Sequence, residues 1–76
     1  MNRPLTAILD SPNRIIFTDV VTGANVNQIH LDGDIVNGPI VVGDNCTVTI
    51  QTSGNRRETR VYKMSTGVII RTHYPL

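Results

Sequence analysis

His30 stands close to two carboxylates, Asp32 and Asp34. On a continuous strand, positions 30, 32 and 34 would share one face. A histidine beside carboxylates is the starting point for acid–base chemistry or for a metal. Gly33 interrupts that run, and a turn there scatters the three side chains. His30 therefore reads as a surface histidine next to a turn. Asp32-Gly33-Asp34 and Asp44-Asn45 offer oxygen ligands, but a calcium loop counted from Asp32 puts Val36 at its fifth place and Gly43 at its twelfth. Those places need oxygen donors, so these residues read as turn formers. Cys46 is the one cysteine, which excludes an internal disulfide and a multi-thiolate zinc site. It opens an alternating run on the apolar face, with no histidine at hand as a base, and reads as a small buried hydrophobe. Ser11, Ser53 and Ser65 lie in turns, none of them in a nucleophile elbow, and no Gly-Lys-Ser/Thr phosphate cradle is present. The expectation is a protein that is not an enzyme and uses no cofactor or metal.

Arg56, Arg57, Arg60, Lys63 and Arg71 form a basic segment that suits phosphate contacts, with Tyr62 placed to stack on a base. The rest of the chain opposes this reading. Residues 1–50 carry Arg3 and Arg14 against Asp10, Asp19, Asp32, Asp34 and Asp44, a net of −3. Residues 51–76 carry the five basic residues against Glu58, a net of +4, so the whole chain is at +1. Nucleic-acid domains usually show a larger basic excess. Opposed halves suit unlike faces of identical subunits, with Arg56, Arg57 and Arg60 meeting Asp32, Asp34 or Asp44 of a neighbour.

Val, Ile and Thr supply 9 residues each, and Leu only 4. β-Branched side chains lose freedom in helices and pack well on pleated surfaces. No segment carries a sustained helical period. The pattern predicts strands over 14–21, 26–31, 46–52, 56–64 and 68–73, with turns at 10–13, 22–25, 53–55 and 65–67. The run 46–52, CTVTIQT, alternates most cleanly, setting Cys46, Val48 and Ile50 against Thr47, Thr49 and Gln51. Between strands lies a stretch with Gly33, Gly38 and Gly43 at five-residue spacing. Asp-Gly and Asn-Gly favour tight turns, so residues 31–45 read as a loop with short β pieces, a β-solenoid coil being the alternative. The fold class expected is all-β, a small antiparallel meander, barrel or sandwich of five or six strands. Residues 1–13 are an N-terminal arm or edge strand, 14–73 a single β domain and 74–76 a C-terminal tail.

Residues Ile40 to Ile50, IVVGDNCTVTI, resemble the second strand region of the carbon storage regulator family of RNA-binding proteins, where an Ile-Gly-Asp turn feeds an alternating Val/Thr strand. The resemblance implies a strand-swapped β dimer that binds a GGA-containing RNA loop. It stops at these 11 residues: the family's compact first strand and C-terminal helix have no counterpart, and no functional residue carries over. Val42 to Cys46 also resemble one turn of the hexapeptide left-handed β-helix, without a sustained six-residue period.

Chains of this size bury only about 60% of their unfolded surface, and small scaffolds usually need a disulfide, a metal or an oligomer. Aromatic residues are limited to Phe17, Tyr62 and Tyr74. The expectation is a structural assembly protein that self-associates or docks on a larger lattice, as a capsid cement or tail-associated subunit of a phage particle would. Leu5, Ile8 and Leu9 at one end, and Tyr74 and Leu76 at the other, are the expected docking residues, acting with strand addition. The alternative is an RNA- or DNA-binding regulator using residues 56–71; a small protein inhibitor is the third. No apolar run approaches the roughly 18 residues of a membrane span, and no secretory leader pattern opens the chain, so virion or cytoplasm is the expected location.

Overall fold

Alternation and turn chemistry build seven strands: β1 (Leu5–Ser11), β2 (Arg14–Asp19), β3 (Asn25–His30), β4 (Gly33–Val42), β5 (Asn45–Thr52), β6 (Arg56–Lys63) and β7 (Val68–His73). The computed structural model describes residues 4–74. All strand pairs are antiparallel, in a three-stranded sheet of order β1-β2-β3 and a four-stranded sheet of order β4-β5-β6-β7. Among the described residues there is no helix, and so none long and apolar enough to cross a membrane.

The strand total exceeds the expected five or six for two reasons. Residues 5–11 pair with β2 as an edge strand, Ile8 opposite Ile16 and Ala7 opposite Phe17. Residues 33–42, expected as a loop, form one long strand against β5. The evenly spaced glycines do different work. Gly43, at φ 60°, turns the chain between β4 and β5. Gly33 and Gly38 lie within β4, pressed on β5: a Cβ on Gly33 would stand 2.4 Å from the Gln51 carbonyl oxygen, and one on Gly38 2.8 Å from that of Thr47. Close backbone approach, not a repeat, explains that spacing.

Both sheets feed one core cluster. Ile15, Phe17 and Ile29 come from the first sheet; Cys46, Val48, Ile50 and Tyr62 come from the second; Leu31 and Met64 flank them. The alternation read in 46–52 is realised, with Cys46, Val48 and Ile50 fully buried. Polar ties hold the sheets together. The carbonyls of Asn13 and Pro12 accept from the amides of Leu31 (2.8 Å) and Ile35 (2.7 Å), securing the crossing from one sheet to the other. The Asn27 amide donates to the carbonyls of Met64 and Ser65, at 3.1 and 2.9 Å. Within the second sheet, Asp44 of the β4–β5 turn accepts from the amide and hydroxyl of Ser65 in the β6–β7 turn, at 3.1 and 2.6 Å.

The surface is large for the mass. A compact monomer of 8.4 kDa is expected to expose about 4,600 Å². This chain exposes 5066 Å² and measures 40 × 21 × 16 Å. Among the described residues, thirteen large apolar side chains remain exposed, more than the nine hydrophobic residues in the core. Much of the Val and Ile content is thus left without cover from the chain itself.

Candidate functional site

Two regions combine exposure with unused chemistry: the β7 edge, and a groove beside the β5–β6 turn. At the edge, Val68, Ile69 and Ile70 are 59%, 43% and 52% exposed. Among the described residues β7 pairs only with β6, so its other side presents backbone groups to whatever lies beside the sheet. The register shifts once, where Ile70 is passed over between the Tyr62–Ile69 and Val61–Arg71 pairs.

The groove, about 880 Å³ in volume, is lined by Asp32, Thr52, Arg56, Arg57, Arg60 and Tyr74, among others. Its floor is an ion-pair cluster built by alternation on β6. Glu58, Arg60 and Tyr62 share a face, opposite Ile50, Val48 and Cys46 of β5. The Arg60 Nη2 pairs with Asp32 at 2.8 Å and with Glu58, while its Nη1 donates to the Tyr62 hydroxyl at 3.4 Å. Burial works against the guanidinium charge, but the hydrogen bonds to Tyr62, Glu58 and Asp32 outweigh it and hold Arg60 above its ordinary range. Arg60 is therefore spent inside the chain, joining β6 to the link between the sheets. Arg56 and Arg57 are exposed and form no ion pair among the described residues.

The other expected site residues fall as follows. Asp32 pairs with Arg60 of its own chain, and Asp44 secures Ser65. Asp34 is exposed on the outward face of the second sheet, in line with Gln51 and Arg57. Leu5 packs against the core cluster. Ile8 and Leu9 are half exposed, and Tyr74 is 67% exposed. Leu76 lies outside the described residues. Tyr62, read from sequence as a base-stacking residue, is 7% exposed within the core, so it has no free ring face to offer. His30 ends β3 opposite Arg14, in a different sheet from Asp34. Burial pushes the Cys46 thiol up to about 11, so the thiolate is scarce at neutral pH. No group of three or more metal-ligating side chains gathers among the described residues.

From sequence, residues 68–73 are an ordinary strand and Tyr74 is part of an apolar tail. The signal for the edge was the run Val68-Ile69-Ile70, which breaks the alternation of a strand with one buried face. Comparison with protein-family models, with curated proteins and with solved structures finds no match to this chain.

Proposed function

We propose that this chain is a non-catalytic assembly protein whose copies join head to tail by strand addition. Its two sheets act as the layers of a small sandwich that presents edges to neighbours. The observation that carries this reading is β7: an edge strand whose first three residues are apolar and 43–59% exposed. Such edges template pairing with another chain. The occupant is a second copy, which meets β7 with its β1 edge. β7 carries Arg71, whereas β1 carries half-exposed Ile8 and Leu9 followed by Asp10, whose carboxylate is paired with Arg14 of its own chain. A two-fold pairing of β7 with itself would bring Arg71 of both copies close together, so like-charge repulsion favours the β1 edge as its mate. A head-to-tail contact propagates into rings or filaments. That property suits a repeating particle, and a capsid cement or tail-associated subunit of a phage is the setting we favour.

Sedimentation over a concentration series tests this. The expected result is a ladder of species that grows with concentration and weakens with salt. Ile69→Lys on β7 and Leu9→Lys on β1 should each collapse it to monomer. A strict monomer at high concentration, or a closed dimer untouched by Leu9→Lys, overturns the head-to-tail reading.

A further inference from the structure

The groove beside the β5–β6 turn lies at the C-terminal end of β7, away from Val68, Ile69 and Ile70, and its Arg56, Arg57 and Tyr74 are not used in assembly. We propose that it binds single-stranded nucleic acid, with Arg56 and Arg57 on successive phosphates and Tyr74 stacked against a base. Three observations converge. Of the aromatic residues, Phe17 and Tyr62 are buried, and Tyr74, 67% exposed, is the one ring available for stacking among the described residues. That ring lines the same groove as Arg56 and Arg57, whose guanidinium groups form no ion pair among those residues. The two carboxylates in the groove, Asp32 and Glu58, are both engaged by Arg60. Their charge is countered from within the groove, and three arginines against two acids leave it at +1.

The strand geometry adds direction. Arg57 lies on the outward face of the second sheet, in the same face of β6 as Thr59, Val61 and Lys63, and Arg71 is paired beside Val61. A backbone leaving the groove along that face meets further cations with no partner among the described residues. Flat stacking on an exposed ring needs an unpaired base, which is why a single strand fits and a duplex does not. A volume of about 880 Å³ falls in the range of small-ligand sites.

The test is fluorescence anisotropy of the full chain with labelled oligothymidylate and oligouridylate, with a duplex and inorganic polyphosphate as competitors. The single strands should bind, and both competitors should be weaker. Tyr74→Ala should lower affinity about tenfold, with Tyr74→Phe retaining it. The Arg56→Ala, Arg57→Ala double variant should reduce the salt-dependence slope by about 1.4. All three side chains are exposed, and circular dichroism of each variant checks that the strands persist. Repeating the titration on Ile69→Lys separates this site from self-association, since binding should survive there. Absence of binding at low salt, equal affinity for duplex or polyphosphate, or an unchanged affinity in Tyr74→Ala overturns the proposal.

Discussion

β4 and β7 bound the same four-stranded sheet, and both expose Val and Ile, yet they are different kinds of edge. β4 carries Val36, Ile40, Val41 and Val42 at 37–70% exposure. Its pairing with β5 shifts register twice, between Ile35 and Asn37 and between Asn37 and Ile40. Pro39 brings no N–H to the strand, and the Ile35 amide already donates to the Pro12 carbonyl at 2.7 Å. Bulges and prolines are the devices by which sheet edges resist pairing. β7 has one register shift and no proline. The difference teaches that apolar exposure alone does not make an edge adhesive. The side chains supply area, but backbone hydrogen-bonding groups free of proline and of contacts within the chain are what a neighbour can join.

Both edges belong to a sheet that is backed by the first sheet through a shared core, and the largest expected effect probes that backing. Phe17 is fully buried in the cluster shared by the sheets. Phe17→Ala should cost about 3–5 kcal/mol in denaturant unfolding. Loss of the β2 signals while β4–β7 stay folded would show that the second sheet holds both edges without the first.

The next effect is a pH dependence at Cys46, which is paired with Val41 of β4 and Tyr62 of β6. The folded thiol titrates at about 11 against an ordinary value of 9.0. Between these values the folded chain holds the proton that the unfolded chain has released. The stabilisation is therefore complete below pH 9 and lost as pH rises to about 11, by roughly 2–3 kcal/mol. Stability curves of wild type and Cys46→Ala across that range should converge; parallel curves would place the thiol outside the core.

Gly33→Ala sharpens the account of the protected edge. Its Cβ would meet the Gln51 backbone at 2.4 Å, so β4 must move away from β5. A cost of about 1–3 kcal/mol is expected, with faster amide exchange in β4 and β5 and little change in β7. The smallest expected effect compares the edges directly. Ile69→Lys should weaken self-association at least tenfold, about 1.4 kcal/mol, and Val42→Lys should leave it nearly unchanged. Equal losses measured by sedimentation would show that apolar area, not edge geometry, drives association.

Much of the architecture was legible in the sequence because local rules agreed. Period-2 alternation placed Cys46, Val48 and Ile50 on the buried face. Turn residues located the ends of β5 and β6, whereas β2 stops at Asp19, two residues before its expected end. The Gly33–Val42 stretch misled because Asp-Gly and Asn-Gly are turn signals by local preference. Only the tertiary pairing shows that Gly33 and Gly38 stay inside a strand, where both leave room for the β5 backbone and Gly38, at φ 92°, also takes up a bulge. The groove was half visible: the basic segment stood out, but alternation sent Arg60 and Tyr62 inward and left Arg56, Arg57 and Tyr74 available.

The sequence by itself determined an all-β chain with opposed charges and too little bulky apolar material to cover its own Val and Ile. Those properties depend on residue type and short-range order, which sequence records directly. The tertiary structure decided which ions pair at home, which aromatic ring is free and which sheet edge is open. Each of these depends on residues far apart in the chain, such as Asp32 with Arg60 and Tyr74 with Arg56, coming together across a fold that no local preference specifies.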